Sequence, residues 1–242
     1  MAKGNSIIRC LVTGLVAATC NVSASPTIDS IDSLDHGNAN VARASFRDDF
    51  TDFNTEIWAC EYTCPTIENG RARFHLSSGV EANNQGSWTK AYYKPERFTS
   101  GRFTVRFSLT ARPAQKVWWG VALWDDGPAE DGSQFNEINF GYTVDGSLTD
   151  SQLLFESTRL GEGQSIPVDT GVDLYDEEYH NATLEYNSER VAFYFDGTLL
   201  HEISDRASIP TGPMDLVLGP RLVSGDPLTE FFLESIDWVQ IE

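Results

Sequence analysis

Apolar and polar residues alternate in short runs along most of this chain. In Gly101-Arg-Phe-Thr-Val-Arg-Phe-Ser-Leu-Thr110, the residues Phe103, Val105, Phe107 and Leu109 share one face. That period of two predicts a half-buried strand. Similar runs predict strands at 71–76, 152–158, 182–186, 191–195, 199–203, 214–218 and 231–241. The stretch 117–123 is mostly apolar, as expected of one strand buried on both faces. Turn formers separate the runs. Asn187-Ser-Glu-Arg190 closes a hairpin, and Asp196-Gly197 is a two-residue turn signal. Helical periodicity is nearly absent after the N-terminus, and no internal repeat is visible. Many antiparallel strands without helical crossovers predict an all-β antiparallel sandwich, a jelly roll with one concave sheet.

The first residues follow a different pattern. Residues 1–25 read as a secretory signal. Lys3 and Arg9 give a positive start, residues 7–18 an apolar run too short to span a bilayer, and Val22-Ser-Ala-Ser25 small residues for cleavage. A buried N-terminal helix is the other reading. A lipoprotein anchor at Cys20 is disfavoured because Thr19 stands where Gly or Ala is usual. Residues 26–44 are rich in Ser, Asp, Asn and Ala without a period, which predicts a flexible linker or pro-segment. One globular domain is expected over 45–242, beginning near Phe46. No later segment reads as a membrane span, so the expected product is secreted, extracellular or associated with a cell wall, with no membrane partner.

Composition narrows the partners. The formal charge is −19, and losing Lys3 and Arg9 leaves 15 basic against 36 acidic residues, or −21. Nucleic acid needs Lys and Arg for its phosphates and is excluded as a partner. Polyuronates such as pectate or alginate are disfavoured for the same reason, so a neutral polysaccharide is expected, bound by a monomer. After cleavage Cys60 and Cys64 remain. In an oxidising compartment they read as a disulfide pinning a turn, since an extended segment would hold them about 13 Å apart. A metal pair is the alternative, although no second cysteine pair or nearby histidine completes a site.

The most chemically loaded run is Ser133-Gln-Phe-Asn-Glu-Ile-Asn-Phe-Gly-Tyr142. Strand alternation sends Ile138, Phe140 and Tyr142 into a core, and Phe135, Glu137, Asn139 and Gly141 towards a possible cleft. This run resembles the catalytic strand of the family 16 glycoside hydrolases, the lichenase, laminarinase and fungal cell-wall transglycosylase group. Other segments resemble that family in the same order. They are Phe46-Arg-Asp-Asp-Phe50 with Trp58, Glu68-Asn-Gly-Arg-Ala-Arg-Phe74, Phe98-Thr-Ser-Gly-Arg-Phe-Thr-Val-Arg-Phe107 and Val117-Trp-Trp-Gly-Val-Ala-Leu-Trp124. After them come Tyr179-His-Asn-Ala-Thr-Leu-Glu-Tyr186, Val191-Ala-Phe-Tyr-Phe-Asp-Gly197 and Ser235-Ile-Asp-Trp-Val239.

The resemblance implies a concanavalin A-like fold and a retaining reaction on β-glucan, with Glu, Asp and Glu two residues apart on the cleft face. Here those positions read Glu137, Asn139 and Gly141. Glu137 would be the nucleophile. Gly141 cannot donate a proton, and loss of a general acid costs about 10²–10⁴-fold in rate. A protein that binds neutral β-glucan with impaired catalysis is therefore expected. The alternative is an active hydrolase or transglycosylase in which Glu156, on the next strand, replaces the missing acid. A cell-wall protein with a vestigial cleft is a third class. Phe135, Asn139 and at least one of Trp118, Trp119 and Trp124 are expected to contact sugar. No cofactor is implied for the chemistry. A structural calcium is implied at Asp237 with the backbone of Asp49 and Gly70. Asn181-Ala-Thr183 is a sequon, of consequence only in a eukaryotic host.

Overall fold

Seventeen strands and one short 3₁₀ turn (Gln85–Ser87) make up the regular structure of the described residues. The computed structural model describes residues 45–143 and 148–242; the expected signal and linker lie outside them. In chain order the strands are β1 (Phe46–Asp48), β2 (Trp58–Tyr62), β3 (Thr66–Ile67), β4 (Ala72–Leu76), β5 (Thr89–Tyr93) and β6 (Gly101–Leu109). Next come β7 (Lys116–Trp118), β8 (Val121–Asp125), β9 (Asn136–Gly141), β10 (Gln152–Arg159) and β11 (Glu162–Asp169). The last six are β12 (His180–Tyr186), β13 (Val191–Phe195), β14 (Thr198–Ile203), β15 (Asp215–Leu218), β16 (Arg221–Ser224) and β17 (Phe232–Ile241).

Two antiparallel sheets form a jelly-roll sandwich. One runs β14-β13-β12-β6-β17-β4-β3, with β1 also paired to β17. The other runs β11-β10-β9-β8-β15-β5-β2, and β16 pairs with β7 apart from both. No helix among the described residues is long and apolar enough to cross a membrane.

The alternation read from the sequence explains which faces meet. Phe103, Val105, Phe107 and Leu109 of β6 are buried, as are Ile138 and Phe140 of β9 and Leu153 and Phe155 of β10. Phe107 lies 5.2 Å from the Trp119 ring, and Phe193 of β13 packs on both Phe140 and Phe155. Truncating such a ring to alanine costs about 3–5 kcal/mol, because both the transfer term and a cavity are lost. The hairpin at 187–190 and the turn at Asp196-Gly197 are where the sequence placed them. Asp196 and Gly197 both have positive φ, at 45° and 79°, as a tight hairpin turn requires.

The apolar stretch 117–123 departs from expectation. It is two strands, not one: β7 pairs with β16, while β8 joins the seven-stranded sheet between β9 and β15. Gly120, at φ 104°, makes the break. A β-carbon there would meet a Phe140 ring carbon at 2.6 Å, so only glycine permits the crossing. The break sends Trp118 and Trp119 to opposite destinations.

Beneath this break lies Glu234, on β17 and wholly inaccessible. Neither of its oxygens makes a hydrogen bond of ordinary geometry; the Gly120 N–H only partly offsets the burial. Burial pushes its carboxyl up to about 8. The unfolded chain sheds this proton near 4.5 and the folded chain near 8. Between those values the unfolded state binds fewer protons, so stability falls as pH rises. The loss is of the order of 5 kcal/mol at most. Calorimetry at pH 5 and pH 8.5 should give a lower Tm at the higher pH. Glu234→Gln should shrink that difference; an unchanged difference would show that Glu234 does not titrate in this way.

Candidate active-site groove

A groove crosses the outer face of the seven-stranded sheet, over β9, β8, β15 and β5. One stretch is lined by Trp88, Trp118, Ala122, Trp124, Glu137, Tyr142, Val217, Arg221 and Val223. It continues, through Trp88, Trp124, Val217 and Arg221, into a more polar stretch bounded by Glu61, Tyr62, Lys90, Tyr92, Asp126 and Asp215. Register places the floor residues. Asn139 faces Ala122 on one side and Glu156 on the other, and Glu137 faces Trp124 and Thr158.

The strand carrying Glu137 has the two expected faces as far as Phe140. Tyr142 does not follow. Gly141 has φ 139° and Tyr142 φ 71°, so the alternation ends and Tyr142 lines the groove instead of the core. Gly141 itself has no room for a side chain. A β-carbon would stand 2.1 Å from the Trp119 carbonyl oxygen. The third position of the floor is therefore Tyr142, and a glutamate at 141 would not fit this backbone.

Asn139 ties the floor together. It is fully buried, and its Nδ2 donates to Glu156 Oε2 at 3.0 Å. Its amide also hydrogen-bonds Glu137, while its Oδ1 has no partner. Burial pushes the Tyr142 phenol up, helped by the charges of Glu156 and Glu137 and by the hydrogen bond its hydroxyl donates to Glu156. Glu137 is pushed up to about 8, first by burial and then by the charge of Glu156; Asn139 and Arg221 pull the other way. Burial and the neighbouring Glu156 charge thus favour the protonated form of Glu137.

The aromatic residues divide. Trp118 faces the groove with its Nε1 donating to the Phe140 carbonyl at 3.2 Å. Trp124 lies in the groove wall, donates to Asp126 Oδ1 at 2.8 Å, and stacks on Phe135 with centroids 5.2 Å apart. Trp119 is fully buried in the core beside Phe107 and Phe140, away from the groove. Sequence reading missed Trp88, Tyr62 and Tyr92. Trp88 follows a 3₁₀ turn in a polar stretch without alternation, so no local signal marked it. Tyr62 is 54% exposed and stacks on Trp88 at 5.4 Å. It sits inside the Cys60–Cys64 disulfide, whose Cα atoms are 5.3 Å apart, with φ 63° at the bend.

The remaining expected positions lie elsewhere. Asp237 meets Arg106 at 3.2 Å and Arg71 at 3.5 Å. Asp49 is bonded by Arg47. Among the described residues no three or more His, Cys, Asp or Glu side chains gather as a metal site. Asn181 lies within β12, its backbone N–H bonded to Asp196 and its Oδ1 buried, not on a loop.

No protein-family model matches the sequence, and no curated protein matches it. Solved structures do match. A β-1,3-1,4-glucanase (lichenase) from a mouse hindgut metagenome is 16% identical, covering 83% of this chain and 99% of its own, with TM-score 0.65. The β-glucanase of Bacillus licheniformis is 18% identical over 83% and 98%, with TM-score 0.63. The laminarinase catalytic domain of Thermotoga petrophila is 16% identical over 81% and 95%, with TM-score 0.62. The fold is that of the lichenases and laminarinases.

Removing the Glu156 charge should release Glu137. In Glu156→Gln, infrared or NMR titration should find the Glu137 carboxyl ionising at a lower pH than in the parent, with burial still holding it above the ordinary carboxylate range. An unchanged midpoint would mean that burial alone raises it.

Proposed function

We propose that the groove binds a β-linked polysaccharide, with β-glucan the first candidate, and that hydrolysis there is slow. The observation that carries this reading is the aromatic groove, with Trp88, Trp118, Trp124 and Tyr142 standing around Glu137. Sugar rings stack on flat apolar faces while their hydroxyls bond nearby polar groups. The floor supports slow turnover. A protonated Glu137 is no nucleophile at neutral pH, and Tyr142, with its proton held more tightly than usual, is a poor donor to a leaving oxygen. The fold's neighbours include enzymes named for β-1,3-1,4-glucan and β-1,3-glucan, which makes β-glucans the natural first ligands to test. The signal-like N-terminus and the disulfide support a secreted site of action.

A second reading is favoured by the coupling of Glu137 and Glu156 through Asn139. Here the expected roles exchange. Glu137 protonates the leaving oxygen, and Glu156 attacks the anomeric carbon or takes a proton from the attacking water.

Binding is tested by calorimetry of the secreted protein with laminari- and cello-oligosaccharides. Trp88→Ala and Trp124→Ala should each weaken binding about 30-fold, the effect of losing a contact worth about 2 kcal/mol. Reducing-sugar assays separate the readings. If Glu156→Gln abolishes cleavage by the parent without weakening binding, the second reading holds. If the parent is inert, Tyr142→Glu with Asn139→Asp should raise hydrolysis measurably. Absence of binding to any glycan would overturn both.

A further inference from the structure

Among the described residues, Arg221 is the exception among the arginines. Arg47, Arg71, Arg97, Arg102, Arg106, Arg112, Arg190 and Arg206 each have a carboxylate within 4 Å. Arg73 and Arg159 reach the Ser235 hydroxyl and the Arg206 carbonyl. The Arg221 side chain has neither an ion pair nor a hydrogen bond among the described residues, although the chain carries 36 acids. It is half-buried and lines both stretches of the groove.

Its guanidinium lies 4.7 Å from the centroid of the Trp88 ring. An interaction with the ring uses the face of the guanidinium and leaves its N–H groups, which point outwards in its plane, available to acceptors. The acids along the groove do not take them. Glu61 is paired with Lys90 at 2.7 Å, Asp215 with Arg97 at 3.0 Å, and Asp126 accepts from Trp124. Glu137, the acid below, feels the Arg221 charge but forms no ion pair with it. A half-buried guanidinium without an ion pair or hydrogen bond among the described residues matches an oxyanion, which it can bind through two N–H groups at once.

We propose that Arg221 seats an anionic substituent, a sulfate or a carboxylate, carried by one sugar of a glycan lying in the groove. The inference rests on the reading of the groove as a glycan site, and it changes the class of glycan expected from net charge alone. An acidic surface repels a chain with a charge on every sugar. A single guanidinium among aromatic rings calls instead for a sparsely charged one, neutral along most of its length.

The test compares three probes by calorimetry with the secreted protein. They are a galactan oligosaccharide with one sulfate per disaccharide, the same oligosaccharide after desulfation, and an oligosaccharide with one uronate per repeat. One of the charged probes should bind at least tenfold tighter than the desulfated one, and which one it is names the oxyanion. Arg221→Gln should remove that preference, weakening the charged probe at least fivefold more than the desulfated one. Arg221→Lys, which keeps the charge and loses the fork, should retain part of it. Melting curves check that both variants fold. Equal binding of charged and uncharged probes by the parent would overturn the proposal and leave the glycan reading standing. So would equal weakening of both in Arg221→Gln. If none of the three probes binds and β-glucan oligosaccharides also fail, the glycan reading falls with it.

Discussion

The site depends on one close crossing of two backbones, where Trp119-Gly120 meets Phe140-Gly141. A β-carbon on Gly120 would come within 3.0 Å of the Phe140 carbonyl oxygen, and one on Gly141 within 2.1 Å of the Trp119 carbonyl oxygen. Neither fits. Both glycines adopt positive φ, which costs other residues one or more kcal/mol. From this contact the layout follows. The chain leaves β7 for another sheet, so Trp118 turns to the groove while Trp119 drops into the core. Alternation stops after Phe140, so Tyr142 joins Glu137 at the groove. Glu234 lies below, in the buried layer that the crossing covers.

Two acids are thus held protonated near the crossing, for different reasons. Glu234 is raised by burial alone. Glu137 is raised by burial and by a neighbouring charge. The first makes the fold sensitive to alkali; the second sets the chemistry available on the groove floor. Asn139 links the two carboxyls: its amide donates to Glu156 at 3.0 Å and also hydrogen-bonds Glu137, while its buried Oδ1 lacks a donor.

Much of the sandwich was legible in the sequence because alternation in long strands is a local signal. The runs that became β6, β10, β12, β13 and β17 have apolar faces as read, and Glu137 and Asn139 fall on the face opposite Ile138 and Phe140. The failures share a cause. Residues 117–123 looked like one strand, and Tyr142 looked buried, because a glycine's conformation is set by a neighbouring strand distant in sequence. Period counting assumes that the chain continues straight, and Gly120 and Gly141 are where it does not. Trp88 and Arg221 were invisible for a related reason. They meet through an isolated bridge between segments more than a hundred residues apart, and no window on the sequence contains both.

The small disulfide ring has a consequence for how this groove can vary. Tyr62 belongs to a five-residue loop closed on itself by Cys60 and Cys64. Cys60, Glu61 and Tyr62 end β2 and pair with Ala91, Lys90 and Thr89 of β5, and the Thr63 backbone bonds Trp88 and Lys90. The exposed side chains of Glu61 and Tyr62, with the partly exposed Thr63, are therefore presented by a tip held by the β2–β5 ladder and by its own covalent closure. Its three residues can change in size, charge or aromatic character without disturbing the core beneath, so the mouth of the groove is free to adapt while the crossing at Gly120 and Gly141 stays fixed.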